Sequence, residues 1–514
     1  MSMMKVFSIA FAAIALIFLA TSLSACGTNP PVPQDGSTST PTAAISTSTP
    51  AGPTPTTIPE RPRYNPGEVV EYTAQSGDTV PAIAAHFNTT SEEIYAANTF
   101  IPESASTMPP GMPMQIPIYF RSFWGTAYKM LPDGLYVNGP ASVGFDTASF
   151  SVEYNGWLNS IVEYAADNSR SGAEIIDLIA RNYSISPRLL LALSEYLGNS
   201  LSQRVLPDSA RGAPLGFRSI QYQGLYRQLI FTANQLNQGY YGWREGTLVE
   251  FELQDGTIER PDPWQNAATV ALQYYFSKIM PVEQYRTAIS EIGFSATYVE
   301  LFGDPWAGET DHIPGSLEQP GLLLPLPVGE TWAFTGGPHN AWGTGPSFSA
   351  MDFAPSTTQK GCYYSDAWTT ALADGVIARA EPGFLILDLD MDGDERTGWV
   401  IFYLHISGRD LITAGTVVQA GDPLGHPSCE GGSSTGTHIH VARKYNGEWI
   451  AADGILPFVM EGWVPVRGAN AYLGSMSRFE RTITACECAT QETLVLATGN
   501  VSGVVSVPTP SPTP

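Results

Sequence analysis

Positive charge is what this chain has least of. Across 514 residues, 25 Lys and Arg stand against 49 Asp and Glu, a formal charge of −24. Nucleic-acid binding draws on clustered Lys and Arg at the phosphates, so that class is excluded. There is equally no polybasic patch for anionic lipid heads. Charge of either sign is sparse at 14%, against 43% hydrophobic residues, so most of the chain has the means to bury a core. The length exceeds one core and predicts roughly two to four domains. Cysteine is limited to Cys26, Cys362, Cys429, Cys486 and Cys488, and an odd count in an exported chain calls for one cysteine with a separate use.

The N-terminus supplies that use. Lys5 precedes an apolar run from Val6 to Ala20 that ends in Leu23-Ser24-Ala25-Cys26. A short positive end, an apolar core and small residues before a cysteine have the layout of a secretory signal and resemble the bacterial lipobox. The resemblance implies cleavage after residue 25, lipidation of Cys26, a membrane anchor and an extracytoplasmic location. The other reading is an uncleaved membrane span with an incidental cysteine. Four cysteines then remain, an even number suited to disulfides in an oxidising compartment. The Pro/Thr/Ser composition of 27–66 cannot bury a core and predicts an extended tether.

Glu71 to Val80 read as a short strand running into a Gly77-Asp78-Thr79 turn, where Asp78 or Thr79 caps a helix. Ile83, Ala84 and Phe87 recur at helical spacing, Ile94, Ala97 and Asn98 suggest a second helix, and Pro110 to Pro117 reads as a turn and a closing strand. This β-α-α-β order resembles a LysM domain. The resemblance implies binding of N-acetylglucosamine chains through Gly77, Asp78, Thr79 and Val80 and through the loop after Asn98, which is longer than usual.

Residues 121–310 carry helical periodicity at Gly172 to Ala180, Pro187 to Leu197, Tyr222 to Leu236 and Trp264 to Phe276, with a strand pair turning at Asp255-Gly256. Asn182 to Glu195 resembles the helix that presents the acid in lysozyme-like transglycosylases, with Glu195 as a glycosidase acid in an apolar pocket. Tyr196 stands where that family has serine. The other reading is a helical spacer with Glu195 exposed or merely hydrogen-bonded.

From about 320, short apolar strands and Gly/Pro turns replace the helices and predict an all-β antiparallel domain, a sandwich or barrel. Five of the seven histidines lie here: His339, His405, His426, His438 and His440. On a strand His438 and His440 point to one face, where imidazoles can share a metal, and zinc takes His nitrogen and Asp oxygen from three protein ligands in catalytic sites. Gly436-Thr437-His438-Ile439-His440, Tyr403-Leu404-His405 and Ala373 to Ile377 together resemble the M23 peptidases, the lysostaphin-like peptidoglycan endopeptidases. The usual first ligand four residues before Asp352 is replaced by Phe348, and His339, thirteen before, sits in a Gly-Gly-x-His start similar to the β-lytic branch. The resemblance implies one Zn2+ on His339, Asp352 and His440, with His438 taking a proton from water and His405 stabilising the oxyanion or positioning the water. His426 matches no family role and reads as structural. No His-Glu-x-x-His is present, so no glutamate of that motif serves as base.

Asp388, Asp390, Asp392 and Asp394 around Gly393 resemble the start of a Ca2+ loop, without a glutamate at the twelfth place, where Trp399 stands. An acidic hairpin tip without metal is the other reading. Cys362 and Cys429 flank the catalytic strands as a candidate disulfide, and the pairing of Cys486 and Cys488 stays open. The expected organisation is therefore 1–25 signal, 26–66 lipidated cysteine and tether, 67–120 LysM, 121–310 helical, 311–475 M23 peptidase and 476–514 a C-terminal segment with a disordered tail. The expected function is a zinc endopeptidase acting on peptidoglycan, binding its glycan chains and stem peptides and held to the membrane by lipid. The alternatives are a non-catalytic peptidoglycan-binding lipoprotein and a glycan-cleaving enzyme centred on Glu195.

Overall fold

The computed structural model describes residues 63–308 and 310–501. The signal reading, Cys26 and nearly all of the tether lie outside the described residues, as does the tail beyond 501. Among the described residues no helix is long and apolar enough to cross a membrane.

Strands β1 (Glu68–Thr73) and β2 (Pro113–Ile118) pair antiparallel around helices Val80–Phe87 and Ser91–Ala97, the β-α-α-β order expected. Thr79 is the cap of the first helix, accepting from the Ala82 amide, and Thr90 with Glu93 forms a reciprocal capping box on the second. Ile83, Phe87, Ile94 and Ile116 fill the small core between them.

The middle region is helical at Gly172–Tyr183, Pro187–Gly198, Leu225–Arg244, Ala267–Ile279 and Phe294–Phe302. Ser171 and Glu174 cap the first of these reciprocally, and Pro187 opens the second. The expected strand pair is there, Phe251–Glu252 against Ile258–Glu259. Gly256 supplies the positive φ of 84° that its turn requires.

The rest is built on a nine-stranded antiparallel sheet. Its strands are β3 (Thr331–His339), β4 (Ala350–Pro355), β5 (Gly375–Glu381), β6 (Gly383–Asp388), β7 (Trp399–Ile406), β8 (Val417–Val418), β9 (Ile439–Tyr445), β10 (Glu448–Trp449) and β11 (Leu494–Leu496). The spatial order is β8-β5-β6-β7-β9-β4-β3-β11, with β10 folded back on β9. Alternation along each strand divides the side chains between two cores. Met351, Phe353, Leu385, Leu387, Ile401, Tyr403, Ile439 and Val441 enter one core with Leu322, Leu324 and Leu326. Ala350, Ile386, Val400, Phe402, Leu404 and Ala442 face the opposite way and share a core with the middle-region helices. In place of a closed sandwich or barrel, one large sheet carries helices on one face and, on the other, a core shared with Met476 and Ile483 of a small three-stranded sheet. The sheet also continues past residue 475, where β11 extends the edge at β3, while Gly474–Arg478 belongs to a separate three-stranded sheet with Val464–Arg467 and Arg481–Thr484.

Candidate functional site

The face of the sheet turned towards the helices carries the histidines. Asp352 on β4 lies opposite His440 on β9, and on its other side opposite Gly336 on β3. Register shifts on either side of Gly336 break the regular pleat of β3 before His339, which lets its ring turn to the same point as the other two. His339, Asp352 and His440 are 1%, 6% and 4% exposed.

Their inward atoms converge. Asp352 Oδ1 is 3.1 Å from His440 Nδ1 and 3.3 Å from His339 Nε2, and the two nitrogens are 3.0 Å apart. The outward nitrogens are committed: His339 Nδ1–H donates to the Gly337 carbonyl (2.8 Å) and His440 Nε2–H to the Ala341 carbonyl (3.1 Å). These bonds set the tautomers and aim a lone pair from each ring at the centre. Two lone pairs 3.0 Å apart repel unless a cation lies between them, and Asp352 Oδ1 is buried without a hydrogen bond of ordinary geometry. These three residues form a group able to hold a metal ion. Burial pushes the His440 imidazole down to about 4, so it is neutral and open to a cation at pH 7.

Two more imidazoles flank this point. His438 Nε2 is 3.7 Å from Asp352 Oδ1, and its Nδ1–H donates to the Gly436 carbonyl at 2.8 Å. His405, at the end of β7 with a positive φ of 64°, donates through Nδ1–H to the Glu430 carbonyl at 2.9 Å. That leaves its Nε2 towards the cleft, with the ring centre 4.6 Å from that of His438. Burial, reinforced by His438 and His440, holds His405 down at about 3. The bond between Cys362 and Cys429 is formed. It ties the segment that holds Thr437, through the Tyr363 amide, to the segment whose next residue, Glu430, orients His405.

Other sequence-selected residues fall elsewhere. Phe348 packs under the Arg467 guanidinium and takes no part in the centre. His426 is a structural histidine by its partners, with Nδ1–H donating to the Ala367 carbonyl and the ring against Trp368. Glu195 is not aimed into an apolar pocket. Its carboxylate accepts from the Leu201 amide and from the amide and hydroxyl of Ser202, which holds the turn after its helix. The loop of Gly77, Asp78, Thr79 and Val80 is covered by the chain's own residues. Asp78 is spent on the Tyr72 hydroxyl and the Gln75 amide, and a Cβ at Gly77 would lie 2.8 Å from the Arg244 guanidinium. Asp388, Asp390 and Asp392 do present oxygens to one another, with Asp388 buried. Asp394 turns away to pair with Arg396. Cys486 and Cys488 are paired with each other.

The structure also adds residues that no motif marked. Tyr472 stacks on His339 with ring centres 4.1 Å apart. Asn182, Tyr183, Tyr226 and Ile230 of the helical region face Trp342, His405 and His440 across a cleft of about 320 Å3. Only long-range packing brings these together, so nothing in local spacing could have found them.

Residues 72–117 match the LysM domain and residues 129–316 the LasA N-terminal domain. Protease LasA of Pseudomonas aeruginosa is 26% identical over 343 residues, covering 63% of this chain and 75% of that protein. Among solved structures, the M23 metalloprotease pseudoalterin from the deep sea has 25% sequence identity, covering 32% of this chain and 96% of its own, with a TM-score of 0.28. A zinc-containing peptidase from Vibrio cholerae has 20% identity, covering 28% of this chain and 43% of its own, with a TM-score of 0.19.

Proposed function

We propose that this chain, a LysM-containing member of the M23 peptidase family, is a zinc endopeptidase that cuts the peptide part of peptidoglycan. The observation that carries this reading is the convergence of His339 Nε2, Asp352 Oδ1 and His440 Nδ1 on one point. Two imidazole nitrogens and one carboxylate oxygen are a donor set suited to zinc, and three protein ligands leave the fourth position of a catalytic site open. When bound, zinc lowers the pKa of a water towards about 7 and polarises a carbonyl.

The chain's own residues do the rest. His438 Nε2, on the cleft side of Asp352, takes the proton of the attacking water and returns it to the leaving amine. His405, its Nδ1–H held by the Glu430 carbonyl, turns its Nε2 lone pair to the cleft and positions the attacking water by accepting from it. His405 is neutral, so its Nε2 is an acceptor at pH 7. Tyr472 and Trp342 confine the peptide beside the three inward atoms. Lipidation of Cys26 holds the chain outside the cytoplasm at the membrane, and LysM is its glycan-directed part, an arrangement that raises the local concentration of wall substrate.

The test is one digestion. Purified wall incubated with the zinc-loaded chain, then read by mass spectrometry, yields peptide cuts that a chelator abolishes and zinc restores. Intact peptides from a folded, zinc-loaded chain would reject the reading, and cuts confined to the sugar backbone would transfer the activity to the helical region.

A further inference from the structure

By resemblance, LysM meets glycan along an edge made of the Gly77–Val80 loop and the loop after Asn98. Here the two loops are joined by the Met108 amide donating to the Asp78 carbonyl at 2.8 Å. The edge they form is already filled. The chain leaving the helical region crosses both loops as the segment 312–317, which turns at Gly315-Ser316. The Ser76 hydroxyl donates to the Ile313 carbonyl (3.2 Å) and accepts the amides of His312 and Ile313 at 3.1 and 2.9 Å. The Thr107 hydroxyl donates to the Pro314 carbonyl (2.7 Å) and accepts the Leu317 amide (3.0 Å). The Ser316 amide donates to the Thr107 carbonyl (2.8 Å), and Ser106 Oγ to the Leu317 carbonyl (2.6 Å). Gly315 lies so close to Pro109 that an added Cβ would sit 2.5 Å from its Cγ. Ser76, Ser106, Thr107, His312, Ile313 and Leu317 are all buried.

The donors and acceptors that Ser76, Ser106 and Thr107 would offer a sugar hydroxyl or acetamido group are all engaged by this segment. The far side of the segment is held as well. His312 Nε2 meets Glu448 Oε2 at 2.7 Å, and Asn446 Nδ2 donates to the His312 carbonyl at 2.7 Å. We infer that the LysM module binds its own chain, with residues 312–317 seated in the glycan groove, and that wall glycan enters this groove only by displacing them. The segment is a competing ligand at very high effective concentration, so the apparent glycan affinity falls by the fraction of chains in which the groove is open. The inference rests on the glycan-directed reading of LysM and is independent of the peptidase reading.

Two variants unseat the segment without changing a residue of the LysM loops. Gly315→Leu drives a side chain into Pro109. Ser316→Pro removes the amide bonded to Thr107 and forbids the positive φ of 52° that Ser316 adopts. The full chain is titrated calorimetrically with triacetylchitotriose, and hydrogen exchange of 312–317 is followed on the same samples. The expected result is protected amides and weak binding in the unaltered chain, with loss of protection and roughly tenfold or greater tightening in either variant. Equal, tight binding in all three would overturn the inference while leaving LysM a glycan binder. Absence of binding in all three, with the segment demonstrably released in the variants, would overturn it together with the glycan reading. Cleavage of wall peptide by the unaltered chain is scored separately and bears on neither outcome.

Discussion

Burial by itself pushes the Asp352 carboxyl up, yet His339 and His438 hold it well below the usual carboxylate range. It therefore enters the site charged, with His339 Nε2 and His440 Nδ1 aimed at the same point by the carbonyl bonds of their other nitrogens. This separates the roles of neighbours on one strand. His440→Ala removes a ligand atom and is expected to abolish both zinc content and cleavage, whereas His438→Ala keeps the zinc and loses about a hundredfold or more in kcat. Metal analysis beside wall-peptide kinetics checks both, and zinc loss in the His438 variant would contradict its assignment as a base. Gly336 offers a second test. A Cβ there would lie 2.9 Å from Asp352 Cγ, so Gly336→Ala must displace the carboxylate. Zinc affinity in chelator competition is expected to fall about 10–100-fold, the scale on which misoriented ligands cost metal sites. His438 and His440 were legible because period-2 spacing places them on one face. His339 was reachable only through the Gly-Gly-x-His resemblance, because the broken register before it hides its direction. Tyr472 left no local trace.

Elements explain why the sheet's strands were easy to find and its layers hard. Trp399 to Ile406 is an almost unbroken apolar run because both faces of β7 are covered, one by the second core and one by helices. Local composition reveals such burial but not which element provides it, so the packing of the helical region on the sheet is not legible in the sequence. The boundary placed at 475 failed for a related reason, since β11 completes the sheet edge through a pairing more than 150 residues distant, Val495 opposite Trp332. The disulfide works at this scale too. It closes a loop with a sequence separation of 67, which by chain entropy corresponds to roughly 4 kcal/mol. Replacing Cys362 and Cys429 together by serine should lower stability by that order and, because the Glu430 carbonyl orients His405, reduce kcat more than zinc content. Denaturant midpoints and metal analysis separate the two effects, and unchanged kcat in the folded double variant would remove the disulfide from any role in holding His405.

Across the whole molecule, the LysM module, the helical region and the sheet meet at one buried ionic junction. Arg244 pairs with Glu448 and Asp133 at 3.1 Å each and donates to the Ser76 carbonyl at 2.5 Å, while Tyr240 Oη donates to Glu448 at 2.7 Å. Burial alone would raise Glu448, but Arg244, then His312, bring it down from an ordinary 4.5 to about 2. Between those values the folded state holds fewer protons than the unfolded one. The stability from Glu448 is therefore full above about 4.5 and lost as pH falls towards 2, on the order of 3 kcal/mol in all. Asp78 acts in the opposite sense: burial raises it to about 6, so the folded state gains from its proton as pH falls from about 6 to about 4. The acid limb that belongs to Glu448 consequently emerges below pH 4. Glu448→Gln is expected to cost about 3–5 kcal/mol at pH 7, because Arg244 then stays buried with Asp133 as its one remaining ionic partner. The variant should also lose stability less steeply than the unaltered chain between pH 4 and pH 2. Urea titrations at pH 7, 4 and 3 provide the comparison. Asp352 and Glu395, also held low, contribute equally to both chains and cancel in the difference. Parallel acid limbs in the two chains would mean that Glu448 is not the group that ties the three parts together by charge.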